Sequence, residues 1–507
     1  MKFTSWLIRL AMALVAVMAV AQTPTHAQTL RIGLAEDPDV LDPTLARTFV
    51  GRIVFAALCD KLVDIDEKLN IVPQLATSWQ FAPDNKSVTF KLRQGVVFHD
   101  GEPFNAEAVK FNIERHQTMP GSNRRSELTA INGVDVIDPY TVRFDLKAPF
   151  APLLSLLSDR AGMMVSPKAA KAAGDKFGAN PVCSGPFKFV ERVAQDRIVF
   201  DRFPNYWNKA AIHFDRVVYL PVVDNTVRLA NLQSGQLDFI ERVAPSDMQA
   251  VGRDSRFKVA RIVGLGYQSI TINIGKSDRA QQNPLGKDPR VREAFELSLD
   301  RDAIVQVAME GEATPGNLWV PPSHPLYPKN VPVPKRDVAK AKALLKEAGV
   351  PNPSFTLMTP TTNEAQKLAQ VVQAMASEAG FDVKIQSTEF STSLGLADKG
   401  EYEAYVLEWS GRSDPDANTT PHLYTKGGQN YSGLSDPAAD KAMDDSRLVL
   451  DPAERLKAYE RLATIVHEKR PLIYLYHRNW LWAYTGKLSG VRPIPDALLR
   501  LQDLKLN

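Results

Sequence analysis

The chain runs for 507 residues without a Gly/Ser-rich linker, an internal repeat or a low-complexity stretch. No other feature limits its fold as strongly. A single hydrophobic core stops growing well short of this length, so the chain must divide into lobes. With no loose linker between them, the lobes are expected to be joined by chain that crosses more than once. The gap between two such lobes is a preferred place for a small-molecule site.

The first residues read as an export signal. Lys2 and Arg9 make a positive start, Leu10 to Ala21 is an unbroken apolar run, and small residues lead to Thr25-His26-Ala27. This run is too short to span a bilayer and has the three-part pattern of a secretory signal, 1–27. Cleavage is expected after Ala27, with Ala21 as the alternative. No Cys follows the run, which argues against a lipid anchor. The mature chain is therefore expected in the periplasm. The whole chain carries +3, and residues 1–27 hold Lys2, Arg9 and no acid, which leaves 3 − 2 = +1. Such a balance gives no basic surplus for nucleic acid. Two cysteines, Cys59 and Cys183, sit in an apolar segment and a Pro/Gly-rich turn. Export permits a disulfide between them, and two buried thiols are the alternative.

Hydrophobic periodicity gives an α/β reading. Leu30 to Leu34 forms a first strand, and a helix-like segment runs from about Arg47 to Val63. Val88, Phe90 and Leu92 alternate with polar residues, as do Val142, Phe144 and Leu146, so the next region is β-rich. Asn105 caps a helix with Ala108, Val109, Phe111 and Ile113 on one stripe. Strand-rich stretches follow over 187–203 and 217–223. The second half alternates strands and helices: Tyr267–Ile274 as strand, helices opening at Pro289 and Asp300, and a Pro-rich loop over 315–334. A capped helix over 337–348, a longer helix over 363–379 and a strand around Phe381–Ile385 come next. A last helix spans 452–468 and an aromatic strand 472–484.

Enzyme signatures are absent. There is no Walker A loop and no G-x-S-x-G elbow. The eight histidines include no i, i+4 pair, so no helical zinc pair exists. Asp414, Asp416 and Asn418 imitate the start of a calcium loop, but Thr419 stands where Gly is needed and Thr425 where the bidentate Glu belongs. No base can be named beside Ser184 in Cys183-Ser184-Gly185. No cofactor is expected.

Several segments, in order along almost the whole chain, resemble the extracytoplasmic solute-binding proteins of peptide and nickel ABC transporters, family 5. They are Leu41-Asp42-Pro43, Pro73-Gln74-Leu75-Ala76-Thr77-Ser78-Trp79, the run Thr89 to Gly101, Ser184-Gly185-Pro186-Phe187 and Asn205-Tyr206-Trp207. Gly235-Gln236-Leu237-Asp238, Val291-Arg292-Glu293-Ala294, and Trp409-Ser410-Gly411-Arg412 with Asp414-Pro415-Asp416 complete the set. The resemblance implies a two-lobed, type II periplasmic-binding-protein fold with a two-crossing hinge and an extra β-rich subdomain. Lobe one is expected over 28–268 plus 478–507, with the subdomain at 63–185, and lobe two over 269–477. It further implies a monomer that closes on a small peptide-like solute and delivers it to an ABC permease. Chelated nickel is the second cargo, and an exported peptide-processing enzyme is the reading from another class.

The resemblance also marks cleft positions. Relatives place an acid just after the Trp409-like residue, where it holds a peptide amino group. This chain has Arg412 there, with Asp414 two residues on. A guanidinium repels an ammonium and suits a carboxylate, which points toward anionic or modified peptides, glutathione-like or opine-like. Internal pairing of Arg412 with Asp414 or Asp416 is the alternative. Arg47, Tyr267, Asn273, Trp319, Asn363, Trp409 and Ser410 are the other expected ligand residues. Among these, Asn363 is also expected as a helix cap.

Overall fold

The computed structural model describes residues 28–507; the export-signal segment 1–27 lies outside the described residues. One hydrogen-bonded path of strands connects the two halves of the molecule. In the first half, β1 (Thr29–Leu34) lies parallel to Arg216–Pro221 on one side and to Phe239–Ile240 on the other. Arg197–Arg202 and Phe187–Val193 extend this sheet to its edge. The helix α1 (Phe49–Leu58) packs on one face, where Leu30, Ile32, Phe55, Phe200 and Tyr219 share a core. The expected helix over 47–63 is therefore shorter: it ends at Leu58, and Val63–Ile65 is a strand.

The second half is built around β3 (Tyr267–Ile272), with β2 (Phe257–Val263) just before it on the other side of the crossing. β4 (Ser354–Pro360), α2 (Asn363–Glu378) and β5 (Asp382–Thr388) form a parallel strand–helix–strand unit. α3 (Phe390–Lys399) then leads to β6 (Ala404–Trp409), which pairs antiparallel with β3. All six residues of β3 are buried. Its odd positions, Tyr267, Ser269 and Thr271, share one face, while Ile270 and Ile272 enter the core on the other.

The strand β7 (Leu472–Thr485) joins the halves. Leu472–Tyr476 pairs with β3, and Asn479–Thr485 pairs with β2. The strand thus changes partners at His477–Arg478, opposite the turn Gly264-Leu265-Gly266. Glycine is required in that turn. A Cβ on Gly266 would lie 1.7 Å from the Trp409 carbonyl oxygen, and one on Gly264 would lie 2.7 Å from that of Arg478. Backbones approach here too closely for any side chain.

An additional four-stranded sheet (Ala76–Phe81, Ser87–Leu92, Thr141–Leu146, Ile131–Asp138) has its own core with the helix Ala106–Thr118. Asn105 caps that helix, accepting from the Ala108 N–H at 3.0 Å. The separate core draws on residues between Leu62 and Met164 together with Ala417 of the second half, whereas Met163, Val165, Ala170, Phe177 and Cys183 pack into the main core of the first half. A disulfide joins Cys59, one residue beyond α1, to Cys183 across 124 residues. No helix among the described residues is long and apolar enough to cross a membrane.

Closing a loop of this length stabilises a fold by about 4–5 kcal/mol in the chain-entropy model. The denatured, unreduced protein is expected to show no free thiol, and a Cys59→Ser, Cys183→Ser double variant to melt well below wild type. Two titratable thiols in the unreduced protein would contradict the bridge.

Candidate functional site

A cavity holding about 950 Å³ of free space, its mouth included, lies between the two halves. The first half contributes Glu36, just after β1, and Arg47, Thr48 and Phe49 at the start of α1, with Arg242 facing them. Thr48 caps α1 by accepting from the Gly51 N–H at 3.2 Å, which fixes this corner. The second half contributes Tyr267, Ser269 and Thr271 from β3, Glu408 and Trp409 from β6, and Ser410 just beyond it. Thr362 and Glu364 come from the start of α2. Leu472, Tyr476, Arg478 and Trp480 of β7 complete the wall at even spacing.

The lining carries charge in shared pairs. Arg478 is buried at the crossing. It gives two hydrogen bonds to Glu364, at 2.9 and 3.0 Å, and reaches both Glu408 oxygens at 3.2 Å. Arg242 lies 3.3 Å from Glu36 and 3.3 Å from Glu241. Phe49 and Trp480 stack with ring centres 4.2 Å apart, and Arg242 and Arg478 both lie against the Trp480 ring. Burial raises the Glu36 carboxyl above its ordinary range; Glu241 and Glu408 repel it further, and Arg242 only partly offsets them. Arg47 pairs with Asp398 across the gap and gives a 3.4 Å bond to the Tyr431 hydroxyl.

A second charged group lies behind Ser410. Asp159, from the first half, is bonded to Arg412 of the second half, and Arg52 Nη2 lies 3.0 Å from it. Arg52 also donates to the Ser410 hydroxyl at 3.1 Å, and the Arg412 guanidinium lies over the Trp409 ring. Burial alone would raise the Asp159 carboxyl, but Arg412, Arg52 and Arg160 hold it well below the usual carboxylate range.

Of the residues expected from sequence, Arg47, Tyr267, Trp409 and Ser410 line the cavity. Five do not. Asn273 spends its amide on a turn, donating to the Gly400 carbonyl at 3.0 Å and accepting from Lys276 N–H. Trp319 is fully buried against Tyr459 in the second-half core. Asn363 opens α2 and bonds Asp224; the cap is Thr362, and the next residue, Glu364, faces the cavity. Arg412 is held by Asp159, and pairs with neither Asp414 nor Asp416, because those acids are taken by Arg455 and Arg447. Asp414 is thus a structural ion pair with Arg455, at 2.8 and 2.9 Å.

Sequence reasoning missed Glu36, Arg242, Glu364, Glu408, His422, Arg478 and Trp480. Arg478 had a readable signal: the one guanidinium in a strand made mostly of apolar and aromatic residues must have a buried partner. His422 lines the cavity with its ring edge-on to Trp409, centroids 4.4 Å apart, and its Nε2 has no protein partner.

Two lobes share one cavity and each supplies part of its charged wall, the arrangement of a binding protein of the hinge-closing type. The matching family model, "Bacterial extracellular solute-binding proteins, family 5 Middle", covers residues 70–431, and the chain belongs to that family. It is 30% identical over 481 residues to the glutathione-binding protein GsiB of Pectobacterium atrosepticum, covering 92% of each chain. It is 29% identical over 512 residues to GsiB of Escherichia coli strain K12, covering 97% of each. Among solved structures it resembles AgaA of A. tumefaciens in complex with agropinic acid, at 27% identity and TM-score 0.86, covering 94% of this chain and 99% of that one. It also resembles DppA of Helicobacter pylori in complex with the peptide STSA, at 26% identity and TM-score 0.86, covering 94% and 98%. The fold is that of type II periplasmic binding proteins, and the chain is a solute-binding component of an ABC importer.

Removing Asp159 leaves Arg52 and Arg412 buried without their acid, so Asp159→Asn is expected to cost about 3–5 kcal/mol. Asp398 is far more exposed, and Asp398→Asn is expected to cost under about 1 kcal/mol. Equal losses in chemical denaturation would show that burial does not set the weight of these bridges. Burial also lowers His116 and His422 to about 3 and His477 to about 4, from 6.5. Their depressed values add stability that is complete above pH 6.5 and lost as pH falls toward 4. The loss is about 1.4 kcal/mol per residue per pH unit. The Tm should therefore drop steeply between pH 6.5 and 5, and a flat calorimetric profile would contradict this.

Proposed function

We propose that the protein is an exported periplasmic monomer that captures a peptide-like solute with more than one carboxylate, of the glutathione or opine kind. One observation supports this above the others: the inter-lobe cavity has an excess of guanidinium behind one wall. Arg52, Arg124, Arg160 and Arg412 surround only two carboxylates, Asp159 and Glu127. Arg124 and Arg160 both donate to the Ala46 carbonyl, one residue from the lining Arg47, at 3.3 and 2.8 Å. Arg412 thereby acts through its charge rather than as a fork on the solute. The wall at Ser410 favours a solute carboxylate. The names of relatives agree in kind, since GsiB binds glutathione and AgaA was solved with agropinic acid.

A hydrolase reading gains no support at Ser184. Its hydroxyl is buried, and the adjoining His99 contacts the Cys183 N–H through Nδ1 and the Gly185 carbonyl through Nε2. The export segment and the periplasmic site belong to the same reading.

The test is a thermal-shift panel on protein unfolded and refolded to strip bound solute. The panel holds dipeptides, tripeptides, glutathione, opines and nickel with a chelator. A solute at 100 times its Kd adds about 2.7 kcal/mol. Acidic peptides and opines are expected to raise the midpoint. A response to nickel–chelate alone, or to neutral dipeptides but not acidic ones, would overturn the assignment.

A further inference from the structure

The guanidinium cluster behind Ser410 is not neutralised by the protein itself. Arg52, Arg124, Arg160 and Arg412 meet only Asp159 and Glu127, which leaves 4 − 2 = 2 positive charges unmatched. The charges around the cluster already have partners: Arg115 has Asp42, Arg455 has Asp414, Arg447 has Asp416, and Arg47 has Asp39 and Asp398. Arg124 is 1% exposed and Arg160 0%, so salt in the solvent screens them little. Burial, with the neighbouring Arg124 next in weight, pulls the Arg160 guanidinium down to about 9.

Hydrogen bonding gives an independent sign of what the cluster lacks. A guanidinium offers Nε and Nη2 along one edge as a fork for an anion. Elsewhere in the chain this fork is filled: Arg31 gives it to Asp238 at 3.0 and 2.9 Å, and Arg256 to Asp254 at 3.1 and 2.7 Å. On Arg160 neither atom of the fork has a partner among the described residues, and Asp159 Oδ1 lies 3.9 Å from Nε, out of hydrogen-bond reach. Only its Nη1 is used, on the Ala46 carbonyl at 2.8 Å. Arg124 places Nη2 on the same carbonyl at 3.3 Å, and its Nε too has no partner among the described residues. Three buried donor nitrogens and two surplus positive charges therefore occur together, and both call for an acceptor that carries negative charge. The solute is not that acceptor, because neither Arg124 nor Arg160 lines the cavity.

We infer that Arg160 and Arg124 hold a small inorganic anion of the chloride kind, buried beside the Ala46 carbonyl that both touch and separate from the solute cavity. A water molecule would satisfy the donors and leave both charges standing, whereas a chloride satisfies the donors and cancels one charge. The other charge remains to act on the Ser410 wall. Arg412 comes from the second half, so the full surplus exists only when the halves meet.

The experiment follows thermal unfolding of the mature protein at constant ionic strength while sodium gluconate is exchanged for sodium chloride or bromide. Gluconate is too large for the site. Chloride and bromide are expected to raise the Tm along a saturating curve. Arg160→Met should abolish that response, and Glu127→Gln, which removes a competing negative charge, should lower the half-saturating chloride concentration about tenfold. Crystals grown in bromide should show an anomalous peak at the Nε and Nη2 edge of Arg160. Equal Tm values in chloride and gluconate, a chloride response that both variants keep unchanged, or bromide found only at surface positions, an adventitious ion only, would each overturn the site. Should Arg160→Met fail to fold, the position of the bromide peak decides.

Discussion

Arg478 occupies the point where β7 leaves one lobe and enters the other, and the site is organised around its charge. Taking a guanidinium out of water is costly unless carboxylates meet it with good geometry. Glu364 from the start of α2 and Glu408 from β6 do so, and both belong to the second lobe. On the other side, Trp480, two residues further along β7, carries the cation onto a ring that stacks with Phe49 of the first lobe. Both lobes are thus registered to one residue at the hinge. The close backbone contacts of Gly264 and Gly266 hold the strands near enough for that registration.

The two interlobe bridges differ in burial. Asp159 meets Arg52 of the first lobe and Arg412 of the second in a buried place, whereas Asp398, the partner of Arg47, is partly exposed.

Much of the architecture was legible in the chain. Period-two alternation found the subdomain strands, and caps such as Asn105 and Asp337 set helix starts, because these are local effects of backbone hydrogen bonding. The order of short motifs identified the family. The binding wall was less legible. Trp409 and Ser410 were found because they sit in a motif, and Arg47 because it follows Asp42-Pro43. Asn363 was one residue off, since a helix turns about 100° per residue and Glu364, not Asn363, faces the cavity. Trp319 and Asp414 have the chemistry of site residues, yet one fills a core and the other neutralises Arg455.

By itself the sequence determined that the chain has several lobes, an α/β pattern and the ordered short motifs of its family. Those properties depend on length, periodicity and residue type, which a linear chain displays directly. Only the tertiary structure decided which carboxylate meets which guanidinium. Arg412 is joined to Asp159 from 253 positions away, and Arg47 to Asp398 from 351. Ion pairing depends on distance and burial in space, and neither is written in the order of residues. The same sequence therefore names the kind of protein, while the fold alone sets which charges meet across the cleft.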